Sequence, residues 1–355
     1  MRILFVMDQR ADRGSIQSIS NYVRAGDETG HHIALYGRSD PRFPTIRFSS
    51  DAAGFDHVVF LVESWRHWMS ALRMPRLLAE VPRDRRAIVD ADGMFNPVVS
   101  TDSYDRNYVW EHTRAEWFAH YELMTDRVFQ PSYAPREPRA RRLLFYGYNP
   151  AQQIAPEASP PKTHDILCVG HNWWRWRQIS TELLPAIERI RGQLGCIAFI
   201  GSWWDTIPAG AADLGVESAF GTDPEWLTRL RIQVRPSVEY TKVVEVMSTG
   251  RINIMTQRPL FRELKILTSK YFEIFSADTI PLVMIDPDHA ELVYGQSGRE
   301  LALHGDVAGK LVDVVTYPRK YQAIVEEVRK HLEEHHSYRR RVQELVQALG
   351  AGTSP

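Results

Sequence analysis

Short apolar runs rich in β-branched and aromatic residues recur along this chain, each followed by a polar loop and a helical pattern. The first half holds ILFVM (3–7), HHIALYG (31–37), HVVFLVE (57–63) and AIVDADG (87–93). Runs of this length and composition suit strands buried on both faces of a sheet. An amphipathic pattern through Ile16, Ile19 and Val23 separates the first two. A stretch with Trp65, Trp68 and Leu72 separates the last two. Such alternation predicts a doubly wound parallel sheet.

The pattern stops at NPAQQIAPEASPPKT (149–163), whose prolines and lack of periodicity read as a linker. It then restarts. DILCVG (165–170) and CIAFIG (196–201) read as strands on either side of a helix through Ile179, Leu183, Leu184 and Ile187. VVEVM (243–247) reads as helical and INIM (252–255) as a strand. Residues 318–349 form a long charged amphipathic pattern with a break near His335-His336-Ser337, and the two histidines read as solvent-facing. The expected organisation is an N-terminal Rossmann-like domain over 1–150, a linker over 151–163 and a second such domain over 164–324. A length of 355 residues gives each domain enough chain for its own core.

Composition narrows the function. A net charge of −1 gives no electrostatic reason to expect nucleic acid or an anionic membrane as partner. Cys168 and Cys196 lie in apolar runs, which argues against a disulfide framework or a zinc site and fits a reducing cytoplasm. No leader pattern follows Arg2, and no apolar run approaches the ~18 residues of a membrane span. The expected localisation is cytoplasmic, without integral membrane contact.

Two open α/β sheets place a cleft between them, and ligands of such sheets bind just beyond the carboxyl ends of the strands. The first such loop holds Asp8, Arg10, Arg13, Gly14 and Ser15. A Gly-Ser pair opening a helix lets a ligand approach the backbone closely, and a plain βα turn fits as well. The loop lacks both GxGxxG and GxxxxGK[ST], so a dinucleotide dehydrogenase or P-loop NTPase is not expected. AIVDADGMFN (87–96) ends a strand with Asp90 and Asp92. Either carboxylate could serve as general base toward an acceptor hydroxyl, and an Asx-turn through Gly93 is an equal reading. A divalent ion on Asp-x-Asp is disfavoured because no further acid or His lies close in sequence.

GHNWWRWRQ (170–178) brings His171, Asn172, Arg175 and Arg177 to the next strand end, where an Arg fork can grip a diphosphate. FIGSWWD (199–205) repeats the arrangement with Gly201 and Ser202. The interleaved tryptophans fit core packing better than base stacking. No GxSxG elbow or HExxH is present.

ILTSKYFEIFSADTIPLVM (266–284) reads as a loop, a short helix and a strand. Ser269 suits a helix N-cap, Lys270 follows in the first turn, and Glu273 lies about one turn further in. A helix start favours phosphate, and a carboxylate there can accept two hydroxyl hydrogen bonds, as a ribose diol presents them. An ordinary helix–strand unit with a surface Ser-Lys pair matches the same spacing.

Together these features resemble the GT-B glycosyltransferases, and the second half looks most like the spore-maturation (CgeB-like) group. That group carries a Ser-Arg-x-Phe-Glu-type helix before a small residue pair and an apolar strand. Here the stretch is SKYFEIFSADTIPLV, with Lys270 in place of Arg and Ala277-Asp278 in place of Ala/Cys-Gly. The resemblance implies that Glu273 binds ribose hydroxyls, that Thr268, Ser269 and Lys270 face the diphosphate, and that the His171-Asn172 loop lies over the sugar donor. It also implies a C-terminal helix (325–350) packed back on the N-terminal domain. Retaining members carry E-x7-E; here Lys265 occupies the first position and Glu263 is two residues off.

The expected function is transfer of a sugar from a nucleotide-diphosphate donor to a hydroxyl or amine, metal-independent and inverting. Asp92 or Asp90 would act as base, with Lys270, Arg177 and the helix dipole steadying the leaving diphosphate. His171, Asn172 and Gly201 would complete the donor site, and Arg10, Arg13, Gly14 and Ser15 an acceptor-side or phosphate loop. No cofactor is expected beyond the nucleotide sugar itself. The alternatives are a sugar-nucleotide epimerase or hydrolase of the same fold and a non-catalytic nucleotide-sugar-binding protein.

Overall fold

Two parallel sheets carry the architecture in this computed structural model, which describes residues 1–7, 14–63, 74–96, 118–209, 211–212 and 217–350. The N-terminal sheet contains β1 (Arg2–Val6), β2 (His32–Tyr36), β3 (Phe48–Ser49), β4 (His57–Val62), β5 (Arg86–Asp90), β6 (Val128–Gln130) and β7 (Ala140–Arg142). Their order across the sheet is β3-β2-β1-β4-β5-β6-β7. The C-terminal sheet contains β8 (His164–Val169), β9 (Ile197–Ile200), β10 (Ile232–Arg235), β11 (Gly250–Met255) and β12 (Ile280–Val283), in the order β10-β9-β8-β11-β12. Both sheets are parallel throughout, as the apolar runs predict.

The long runs became the central strands; β4, for example, is buried at every position. Sequence patterning does not reveal β3, β6, β7 or β10. They are two to four residues long and include polar stretches such as ARR and IQVR, so their pairing rests on neighbours.

Seven helices matter for the site: α1 (Gly14–Glu28), α2 (residues 176–190, with a π turn over Ile179–Leu183), α3 (Val243–Ser248), α4 (Pro259–Leu264), α5 (Lys270–Ser276), α6 (Pro318–His336) and α7 (Tyr338–Gly350). The strand order reverses between β1 and β4 and again between β8 and β11. Crevices at such reversals are where open sheets hold ligands. Gly14, which begins α1, and Gly170, which follows β8, line one common cavity.

The halves are joined in two places. Residues 149–163 form one crossing, where the Lys162 ammonium holds the Ser248 carbonyl at 2.8 Å and the Asp278 carboxylate at 2.7 Å. The second is at Ser337, whose extended backbone (φ −61°, ψ 152°) separates α6 from α7. The C-terminal helical stretch (325–350) is therefore divided at the break that the sequence places near His335-His336-Ser337. α6 stays with the C-terminal half, where Arg329 donates to the carbonyls of Phe275 and Ala277. α7 packs on α1, with Tyr338 donating to Ser18 at 3.0 Å and the fully buried Arg341 donating to the Tyr146 carbonyl at 3.0 Å.

That break also corrects the histidine reading. His335 is exposed, but His336 is turned inward to 3% exposure, against the Phe272 ring and within 3.3 Å of the Tyr133 hydroxyl. Among the described residues, no helix is long and apolar enough to cross a membrane.

Candidate active site

The cavity between the sheets, of about 150 Å³, is walled by the ends of β8 and β9, the approach to α3 and the start of α5, with Gly14 opposite. Its polar lining includes His171, Arg175, Lys270 and Glu273. Glycines make the loops fit. Gly201 has φ +151°, and a Cβ there would overlap the Gly170 carbonyl; Gly170 has φ +149°, and a Cβ there would overlap the Arg175 guanidinium. Both positions require glycine for conformation and for close approach. A Cβ on Gly14 would overlap the Ser269 hydroxyl and lie 3.4 Å from Glu273 Oε1, so α1 closes directly onto the α5 side chains.

Two cations face this cavity. Burial pushes the Arg175 guanidinium down to about 10, and the neighbouring charge of Arg258 adds to the effect. Arg175 Nε is buried and finds no hydrogen-bond partner among the described residues. Lys270 lies 3.4 Å from Glu273 Oε2, with both side chains mostly buried. Burial lowers the Lys270 pKa, with the Glu273 charge opposing and Arg175 reinforcing that shift. Two crowded cations beside one carboxylate leave an excess of positive charge, which suits an anion.

Among the described residues, the N-terminal wall carries carboxylates instead. Asp92, in the turn after β5, pairs with Arg258 Nη1 at 3.4 Å across the cleft, each side chain about a quarter exposed. The Arg258 guanidinium lies over the Phe261 ring at 4.7 Å and near Trp173 at 6.0 Å. Glu63, just beyond β4, accepts a short hydrogen bond from Ser15, whose hydroxyl also lies 3.0 Å from the Tyr146 hydroxyl.

Several predicted site residues have other roles. Asp90 is fully buried, and its carboxylate accepts from Met94 N (2.9 Å), Phe95 N (2.8 Å), Tyr121 OH (2.9 Å) and Gln130 Nε2 (2.8 Å). Burial raises its pKa while these bonds oppose the rise. It fastens the 91–96 turn and has no path to an acceptor, so the base reading narrows to Asp92. Asn172 is also fully buried; its amide donates to the carbonyls of Trp203 and Phe220 and ties three loops together.

Arg177 is exposed and lines a different hollow with Arg262 and Glu182, so Arg175 replaces it at the cavity. Ser269 has helical backbone angles and makes no side-chain cap; its carbonyl accepts from Phe272 and Glu273 N–H, so the helical path begins earlier than the hydroxyl suggests. Thr268 likewise contributes its carbonyl, to Tyr271 N at 3.1 Å. Glu263 pairs with Arg136 at 2.9 Å, away from Glu273. Ser15 is buried behind the wall, whereas Gly14 reaches the cavity. Arg10 and Arg13 lie outside the described residues.

Sequence reading missed Arg258 and Glu63. An acid closing the apolar run HVVFLVE was a usable signal for Glu63. Nothing in local spacing marks Arg258, whose partner is 166 positions away.

Known proteins share the fold that carries this site. Residues 182–347 match a family described as glycosyl transferase-like. The chain has the GT-B fold, and the glycosyl transferase-like match covers its C-terminal half. Similar solved structures include a sucrose-phosphate synthase from Thermosynechococcus elongatus, 12% identical, with a TM-score of 0.62 over 99% of this chain and 98% of that one. A T4 phage enzyme, BGT, solved with UDP and Mn2+, is 10% identical, with a TM-score of 0.58 over 98% and 99%. AviGT4, a glycosyltransferase involved in avilamycin A biosynthesis, is 12% identical, with a TM-score of 0.57 over 99% and 97%. No curated protein sequence matches the chain.

Proposed function

We propose that this glycosyltransferase holds a nucleoside-diphosphate sugar in the cavity between its sheets and passes the sugar to a hydroxyl or amine presented by the N-terminal half. The carrying observation is the convergence of Arg175, Lys270 and Glu273 on one cavity closed by Gly14. In this reading Lys270 and Arg175 hold the diphosphate, Glu273 accepts the ribose hydroxyls, and His171 and Gly201 shape the wall beside them. The division into an acceptor-side domain (1–150) and a donor-binding domain (164–324), and membership of the CgeB-like group, belong to the same proposal.

The reaction is written as an inverting displacement. The acceptor oxygen or nitrogen attacks the anomeric carbon, its proton passes to the Asp92 carboxylate, and the bond to the diphosphate breaks with its electron pair. The charge that develops on the departing diphosphate falls beside Lys270 and Arg175, where fixed cations act strongly because water is largely excluded. These two cations supply the neutralisation that a divalent ion would otherwise provide, which supports a metal-independent reaction. Among the described residues, no cluster of three His, Cys, Asp or Glu side chains is arranged to hold a metal. T4 phage BGT, solved with Mn2+, makes activity in the presence of a chelator the direct check.

A small-molecule acceptor is favoured over nucleic acid by the net charge of −1, although an alpha-glucosyltransferase of similar fold was solved with UDP and a 13-mer DNA. A cytoplasmic enzyme is consistent with its two unpaired cysteines. The test is calorimetry with UDP, GDP and dTDP. One should bind, and Glu273→Ala should lose that binding while keeping its unfolding midpoint. Unchanged affinity in the variant would remove Glu273 from the donor site.

A further inference from the structure

A second hollow, of about 310 Å³, lies between α2, which follows β8, and α4, which follows β11. The strand order reverses between those two strands, and open sheets hold ligands beyond such reversals. Among the described residues it shares no lining side chain with the cavity between the sheets. Arg175 lines that cavity, and Arg177, two positions on, lines this one. Two buried carboxamides also line it. Gln178 is spent on structure: its Nε2 donates to the Met284 carbonyl at 2.9 Å, and its Oε1 accepts from Gln257 N–H at 3.2 Å. That bond fixes the backbone of Gln257, whose Nε2 donates to the Tyr271 hydroxyl. Gln257 is 5% exposed, and its Oε1 is buried without a hydrogen-bond donor among the described residues. A buried acceptor left unmet is costly, so this oxygen marks a place where a ligand can donate.

The charges around the hollow are balanced. Arg262 of α4 spans to Glu182 of α2 at 2.7 Å, and Glu263 is matched by Arg136 of the N-terminal half at 2.9 Å. Each pair engages Oε1 of its carboxylate, and a carboxylate has a second oxygen with which to accept. In the lining, Arg177 and Arg262 cancel Glu182 and Glu263, unlike the cationic excess at Arg175 and Lys270. An anion gains little there. Planar donors and acceptors side by side suit hydroxyls, which give and take at one atom. We propose that this hollow binds an uncharged hexose, at a site separate from the nucleotide cavity. The sugar's hydroxyls meet Gln257 Oε1 and the paired Arg and Glu side chains, while Pro259 gives its C–H face an apolar surface. Such a site stands whether or not the other cavity holds a nucleotide.

The test is a titration of the full chain with glucose, galactose, mannose and fructose, read by saturation-transfer NMR. At least one should bind with a dissociation constant on the order of 1 mM, as for a ligand of this size. The 6-phosphate of that sugar should bind more weakly. Thr181 is exposed on the rim, so Thr181→Trp should fill the hollow and weaken the sugar at least about tenfold. Calorimetry with UDP, GDP and dTDP should be unchanged in that variant. Gln257→Met, of similar volume, should weaken the same sugar about tenfold by removing the carboxamide.

If none of the four sugars binds, the hollow holds water only and the proposal falls. If the sugar binds Thr181→Trp as it binds the wild type, it sits elsewhere and the assignment is wrong. If the 6-phosphate binds more tightly, the ligand is an anion and the class is wrong. If Thr181→Trp loses a nucleotide along with the sugar, the two hollows are one site and the separation is wrong. A wild type that takes a sugar but none of the three nucleotides would end the donor reading and leave this site standing. Unfolding midpoints near the wild type tie the affinities to the hollow, and Thr181→Trp alone decides the matter should Gln257→Met unfold.

Discussion

The two walls of the cleft come from the same kind of βα unit, yet among the described residues they carry opposite charge. On the C-terminal wall Arg175, Arg258 and Lys270 outnumber Glu273; on the N-terminal wall the strand ends of β4 and β5 deliver Glu63 and Asp92. The fold supplies the cleft, and the one or two residues after each strand decide which wall attracts an anion and which can take a proton. Position alone does not settle it, because Asp90 and Asp92 leave the same strand and only one faces the cleft.

The sharpest test of this contrast is Asp92→Asn, which should cut turnover about 10²- to 10⁴-fold without weakening nucleotide binding, the signature of a lost general base. Steady-state kinetics beside calorimetry reads both, and equal losses in the two would merge the walls into one binding surface. Asp90→Ala should act on the fold instead. It leaves four hydrogen-bond donors around the 91–96 turn without their acceptor, and urea unfolding should show a loss of roughly 2–4 kcal/mol. A stable Asp90→Ala chain with impaired turnover would return Asp90 to the catalytic side.

Lys270→Met should weaken nucleoside diphosphate binding roughly 10- to 100-fold, as for a lost charge-assisted contact, with the unfolding midpoint kept. The smallest effect concerns His336 at the junction of the walls. Burial, and secondarily the Arg341 charge, hold its pKa down at about 2. The unfolded chain therefore binds a proton that the folded chain refuses. This contribution is complete above pH 6.5 and is lost as pH falls from there toward the folded value, by roughly 1 kcal/mol per pH unit. His336→Gln should flatten stability against pH across that window; an unchanged slope would assign acid sensitivity elsewhere.

Most of the fold was legible because long apolar runs announce central strands without help from their neighbours. The short strands were not, since β7 reads ARR and exists only because β6 stands beside it. In the site, Lys270 and Glu273 were legible because helical spacing puts them on one face. The choice between Arg175 and Arg177 was not. It depends on where α2 begins, and the residue just before the helix points into the cavity while the one just inside points out. His336 was misread for a similar reason: a charged helix predicts exposure, and the break at Ser337 decides otherwise. Arg258 was beyond reach, because an ion pair between two halves of a chain leaves no local trace.

The two crossings between the halves are pinned to each other, since Tyr148 N donates to the His336 carbonyl at 2.8 Å, next to the bridge between Tyr148 and Ser337. The halves also meet away from this point: the Ser132 hydroxyl donates to the Leu264 carbonyl at 2.9 Å, Leu267 N donates to the Pro131 carbonyl at 2.7 Å, and Arg136 pairs with Glu263 at 2.9 Å. Lengthening either crossing by a few glycines would leave those contacts alone to hold the register of the walls, and the loss would fall on alignment first.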